Sequence, residues 1–254
     1  MRRLAAILVI VVAAGLGAAC GTCAQNAGFS DWAAIVVAGD DHASHTDNLT
    51  ETIDNARRDV AAALIRKGFS PDNMAQFSAQ PARHAAAPLR PADVSSIAAS
   101  LRDHAQRARG GCLIYFTSHG APQGVAVGES LLSPSQLARI VDETCGARPT
   151  VVVMSACYSG VFVPALAGPD RMVLTAARSD RSSFGCGESD RYPFFDACVL
   201  ESLPASSDFL ALAPKVKACV ARREREEGMA PPSHPQVWVG AQFAARPRPF
   251  APGE

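Results

Sequence analysis

The sequence predicts an α/β fold built on a mainly parallel sheet with helices on both faces, and three observations carry that prediction. Short apolar runs without polar alternation recur at residues 32–38, 111–116, 151–154 and 172–176, the pattern of strands covered on both sides. Between them lie longer stretches with helical spacing, so strands alternate with helices as parallel crossovers require. With 254 residues, 48% of them hydrophobic, the chain can bury one substantial core.

Taken in order, residues 32–38 form the first strand, and Gly39-Asp40-Asp41-His42-Ala43-Ser44-His45-Thr46-Asp47 is a polar loop at its carboxyl end. Asp40, Asp41, His42, His45 and Asp47 follow no known metal-ligand spacing, so no metal is expected and the loop reads as a substrate contact. A helix over 50–67 shows Ile53, Ala56, Val60 and Leu64 on its apolar face and stops at Gly68, which leaves Asp54, Arg57, Arg58 and Asp59 on a solvated face. A short strand at 74–79, a Pro- and Ala-rich connection at 80–91 and a helix over 92–109 follow. The third strand ends at Ser118-His119-Gly120, and the glycines and alternating valines of 121–132 predict a small hairpin at the sheet edge. Ser133-Pro134 opens a helix to about residue 144, strand four runs to Met154, and strand five covers 172–176. A polar loop over 178–190, helices at 192–202 and 207–227, and a sixth strand at 235–240 complete the sheet.

Residues 1–24 read as an export signal, Met1-Arg2-Arg3 followed by an apolar stretch too short to span a bilayer. Cleavage is expected near Ala24-Gln25, while Leu16-Gly17-Ala18-Ala19-Cys20 also reads as an imperfect lipoprotein signal that would place a lipid on Cys20. The expected location is therefore the periplasm, or the envelope by membrane attachment through the N-terminus. Residues 25–243 form one domain, and 244–254, with three prolines, a flexible tail. Twenty-four basic residues balance 24 acidic ones, leaving no electrostatic footprint for nucleic acid. Of eight cysteines, Cys20 and Cys23 belong to the signal. Export permits disulfides among the rest, but their connectivity is not readable from spacing.

Two strand ends carry the chemistry. Thr150-Val151-Val152-Val153-Met154-Ser155-Ala156-Cys157-Tyr158-Ser159-Gly160 is a buried strand that breaks into small residues around one cysteine. Gly111-Cys112-Leu113-Ile114-Tyr115-Phe116-Thr117-Ser118-His119-Gly120 does the same around a histidine. In parallel sheets ligands gather beyond the carboxyl ends of the strands. Side by side, these two would bring a thiol nucleophile and its base to one edge. Alone, Cys157 reads equally well as a buried core cysteine, and His119 alone reads more readily as a core histidine satisfied by a carbonyl.

This pairing, with the Trp32–Gly39 strand, the segment Thr175-Ala176-Ala177-Arg178-Ser179-Asp180-Arg181-Ser182-Ser183-Phe184-Gly185-Cys186 and the closing 233–240 stretch, resembles the legumain family of cysteine peptidases. That family is related to the caspases and to the catalytic subunit of the GPI-anchor transamidase. The resemblance spans roughly residues 31–240. It implies a bacterial, exported member with a caspase-like three-layer sandwich, a six-stranded mainly parallel sheet, and no cofactor. His119 and Cys157 would be catalytic, with the N–H groups of Gly120 and Cys157 holding the oxyanion. The residue that orients His119 would fall near Thr50.

For substrate binding the resemblance implies Ser182 and Asp196, with Ser155 standing where the family has an acid. The family's Arg-His pair falls near Thr52 and Ile53, so a preference for asparagine does not carry over. With Asp196 as its one charge, the pocket is expected to accept hydrogen-bond donors, basic side chains included. Replacing Asp196 is then expected to alter residue preference more than the reactivity of Cys157. The implied function is an exported cysteine endopeptidase working on peptides or proteins through an acyl-enzyme. A transpeptidase or transamidase of the same family, and an idle peptide-binding envelope protein, are the alternatives. A serine esterase is disfavoured, because no Gly-x-Ser-x-Gly elbow is present.

Overall fold

The computed structural model describes residues 28–44, 46, 48–84, 89–246 and 248–252. The expected export signal with Cys20 and Cys23, and the loop residues His45 and Asp47, lie outside them. In chain order the elements are β1 (Trp32–Ala38), α1 (Thr52–Arg66), β2 (Met74–Ser78), β3 (Arg90–Pro91), α2 (Val94–Arg107), β4 (Gly111–Thr117), β5 (Gly120–Ala121), β6 (Gly124–Val127), β7 (Ser130–Leu132), α3 (Pro134–Cys145), β8 (Thr150–Ser155), α4 (Phe162–Leu166), β9 (Arg171–Thr175), α5 (Phe194–Ser202), α6 (Phe209–Glu226), β10 (Gln236–Val239) and α7 (Ala241–Ala244).

The central sheet runs β10-β9-β8-β4-β1-β2-β3, and only β10 is antiparallel to its neighbour. It has seven strands where six were expected. The addition is β3, two residues of the Pro-rich connection that pair with Phe77 and Ser78, too short to leave an apolar run in the sequence. The expected hairpin is a separate three-stranded sheet, β5-β6-β7.

Every residue of β1, β4 and β8 is buried because successive side chains feed different cores. Ala34 and Val36 of β1 face one way, with Val60 and Leu64 of α1, Val199 of α5 and Leu212 of α6. Ile35 and Val37 face the other, with Ile97 and Leu101 of α2, Leu137 and Val141 of α3, and Phe162 of α4. Fully burying one such side chain stabilises the fold by about 1.5–3 kcal/mol. Together the two layers of helices fix the central strands, and so the positions of their carboxyl ends.

Helix ends follow local chemistry. Ser133 and Gln136 form a capping box at α3, whose first residue is Pro134. Asp93 and Asp208 accept from the N–H groups of Ser96 and Ala211 and so open α2 and α6. Pro193 delays α5 to Phe194. Two expectations are corrected. Asp54 and Arg57, assigned to a solvated face, are 4% and 2% exposed. They are paired at 3.0 and 2.7 Å, with Arg57 also donating to Gln76 on β2, so mutual pairing lets both turn inward. The C-terminal stretch read as a flexible tail is docked where it is described. Phe250 is buried beside Phe29 and Phe209, and the N–H groups of Phe250 and Ala251 donate to Ser207 and Lys67 carbonyls. An aromatic with a ready apolar nest outweighs the flanking prolines.

Two disulfides are formed: Cys112–Cys145 ties the start of β4 to the end of α3, joining sheet to helix, and Cys198–Cys219 ties α5 to α6 within one helical layer. Replacing Cys112 and Cys145 together with alanine is expected to lower unfolding stability by about 3–4 kcal/mol, the loop entropy for a closure of this length. A denaturation midpoint that barely moves, by less than about 1 kcal/mol, would show that this link adds nothing.

Candidate active site

Adjacent parallel strands place the two predicted residues. β4 pairs with β8 in a register that ends at Thr117 opposite Ser155. His119 stands two residues beyond the first and Cys157 two beyond the second, and the N–H of Ser118 donates to the Ser155 carbonyl. Both side chains therefore leave the same edge of the sheet. The chains run so close there that a Cβ built on Gly120 would lie 2.1 Å from the Cys157 carbonyl oxygen. Only glycine permits that approach.

After Cys157 the chain reverses through Tyr158, whose φ of 56° is left-handed, a conformation that costs a residue with a side chain about 1–2 kcal/mol. The Tyr158 N–H is held by the Arg181 carbonyl at 2.8 Å. The segment between β9 and α5 is thereby drawn over the cysteine. There the Ser183 N–H donates to Cys157 Sγ at 3.2 Å, and the Ser183 carbonyl and hydroxyl oxygens each lie 3.6 Å from the sulfur. Ser183 was not singled out from the sequence, because its contact with the thiol runs chiefly through its backbone.

His119 is oriented by a backbone carbonyl. Its Nε2 lies 2.8 Å from the His42 oxygen, and because a carbonyl only accepts, Nε2 carries the proton and the lone pair of the neutral ring is on Nδ1. Asp40 shapes the turn that aims this carbonyl: its Oδ1 accepts from the N–H groups of Asp41 and His42 and lies 2.9 Å from His42 Nδ1. Burial works against the ionised form of Asp40, but these bonds and the nearby His119 hold its carboxyl below the ordinary value. Thr50, near which the orienting residue was expected, bonds instead to Thr52, and Thr52 holds the Gly187 and Asp190 carbonyls. Asp40, Asp41 and His42 could hold a cation by spacing, but Asp40 Oδ1 is already occupied by the turn.

The expected substrate pocket is where structure and sequence part. Ser182 is exposed at the rim, whereas Asp196 is 0% and Ser155 3% exposed. Asp196 Oδ1 accepts from Tyr115 at 2.5 Å, and Oδ2 accepts from Thr117 at 2.9 Å and Ser155 at 2.7 Å. Three hydroxyls capture the carboxylate beneath the strand ends, so neither Asp196 nor Ser155 offers a polar atom to a substrate as the structure stands. Burial raises the Asp196 carboxyl to about 6, although the Ser155, Tyr115 and Thr117 bonds pull it down.

Cysteine arithmetic closes here. With two disulfides formed, the free thiols among the described residues are Cys157, partly exposed, and Cys186, buried. Burial, together with nearby Cys157, Asp196 and Asp190, pushes the Cys186 thiol far above its usual value, so it stays neutral. The loops flanking the cleft are joined: Ser44 N–H donates to the Cys186 carbonyl and Asn48 to Glu188.

Comparison with known proteins agrees with this architecture. No curated protein sequence matches the chain. Among solved structures, caspase-1 from Spodoptera frugiperda is similar with a TM-score of 0.59 at 15% identity, over 84% of this chain and 87% of that one. Its pro-form, pro-sf-caspase-1, gives 0.59 at 14%, over 85% and 93%. Those likenesses show a caspase-like fold. The profile of the Peptidase C13 family matches residues 19–208, well over half of the chain, and the protein therefore belongs to that family, the legumain family of cysteine-type peptidases.

Proposed function

We propose that the protein cleaves peptide bonds with His119 and Cys157 as a catalytic dyad. The observation that carries this reading is the β4–β8 register, which sets both residues two positions beyond paired strand ends. His119 Nδ1 takes the Cys157 proton, the thiolate attacks the substrate carbonyl, and the imidazolium returns the proton to the leaving amine. The His42 carbonyl holds the imidazole through Nε2, and the Asp40 carboxylate holds the turn that presents that carbonyl. The N–H groups of Gly120 and Cys157 receive the oxyanion. Water then releases the acyl group, and an amine reaching it first would make the same enzyme a transpeptidase. The substrate is a peptide or protein, and two disulfides beside an N-terminal export signal support a place outside the cytoplasm.

Labelling with a thiol-directed electrophile tests the reading. Uptake at one site is expected, and Cys157→Ala is expected to abolish it together with cleavage of a peptide library. Labelling of Cys157 no faster than a solvent-exposed model thiol, with no peptide cleaved by the unaltered protein, would overturn the proposal.

A further inference from the structure

Asp196 sits at the family's substrate-binding position yet touches the two strands that deliver the dyad. Its Oδ2 receives hydroxyls from Thr117 on β4 and Ser155 on β8, the facing pair at the end of the ladder. Its Oδ1 receives Tyr115, also on β4. The carboxylate belongs to the first turn of α5, where the helix N-terminus favours negative charge. One buried group thus joins β4, β8 and α5.

We propose that Asp196 is a positioning residue rather than a substrate contact: its ionised carboxylate clamps Thr117 to Ser155 and so sets His119 against Cys157. This rests on the dyad reading. Ionised, the carboxylate accepts all three hydroxyls. Protonated, it must donate as well, and one hydroxyl has to turn away among groups that are all buried. The titratable groups facing it are Tyr115 from β4 and Cys186 from the segment before α5, and burial holds both well above their usual values. Both stay neutral while Asp196 titrates at about 6. The clamp is therefore closed at neutral pH and loosens as pH falls through that value.

Asp196→Asn keeps the shape and removes the charge. With a cleaved peptide, kcat is expected to fall about 10- to 100-fold, the cost of a small misplacement of reacting groups. KM and the preference for the residue before the scissile bond are expected to stay unchanged. The acid limb of the kcat profile should lose one ionisation near 6. Thr117→Val and Ser155→Ala, each removing one donor, should give smaller losses of the same kind. A folded-state readout accompanies these. The raised Asp196 value contributes stability below the unfolded value of 3.8 that is lost as pH rises through about 6. The thermal midpoint of Asp196→Asn should therefore gain on that of the unaltered protein between acid and neutral pH.

Alkylation of Cys157 by iodoacetamide needs no peptide and should slow in Asp196→Asn with the same pH dependence. It separates failure of the clamp from failure of the peptidase reading. Equal alkylation rates in the two proteins, or an altered residue preference with kcat preserved, would overturn the clamp. Absence of any cleavable peptide, with alkylation still slowed in the variant, would retain the clamp and remove only the peptidase activity.

Discussion

His119→Ala is expected to lower kcat/KM by about 10³- to 10⁴-fold, at the upper end of what general acid–base catalysis supplies, while leaving the thermal midpoint close to that of the unaltered protein. The side chain is only partly buried, and among the described residues it is held by the His42 carbonyl, so removing it leaves no buried charge and little cavity. The two nearby carboxylates are not free to replace it. The Asp40 carboxylate is occupied by its own turn, and Asp196 is sealed under the strands. Because base and nucleophile act as a unit, the double variant with Cys157→Ala should be no worse than Cys157→Ala alone. Retention of more than about a tenth of the activity in His119→Ala would remove the histidine from the mechanism.

Gly120→Ala is expected to cost activity and stability together. The new Cβ would lie 2.1 Å from the Cys157 carbonyl oxygen and 3.0 Å from the Ala156 Cβ. The contact atom is backbone, and the strand ends behind it are packed on both faces, so the segments that follow β4 and β8 must part by roughly an ångström to restore van der Waals distance. A displacement of that size between reacting groups lowers turnover by about 10²-fold, and the forced shift costs about 1–3 kcal/mol as overpacking does. Gly28→Ala serves as the control, because nothing lies within 4 Å of the added carbon there. If Gly120→Ala matched that control in kcat and in denaturation midpoint, the close approach of the two strand ends would have no part in catalysis.

These expectations join fold to chemistry through one contact line. The β4–β8 ladder ends at Thr117 and Ser155, Asp196 binds both hydroxyls from below, and Gly120 lets the following segments close above. Ser183 and the His42 carbonyl then reach the sulfur and the imidazole from the two flanking loops. The proposed dyad stands at the ends of packed strands and is flanked by loops, as a reacting pair that tolerates little misplacement requires.

Residue pattern alone marks six of the seven strands of the central sheet, their alternation with helices, and His119 and Cys157 as the candidate pair. Strands buried on both faces leave unbroken apolar runs, and the small residues after them mark where side chains must be approached, so His119 and Cys157 were legible as a pair. β3 was not, because Arg90–Pro91 pairs through backbone over too few residues to shape composition. The unpaired state of Cys186 was not legible, since which cysteines join depends on how α3 and α6 lie. Tertiary structure alone decided what orients His119, because a carbonyl is present at every residue and leaves no mark in residue type. The burial of Asp196 under three hydroxyls likewise appears only in the folded chain. An aspartate reads the same whether it faces a substrate or three hydroxyls, and only the meeting of β4, β8 and α5 removes it from solvent.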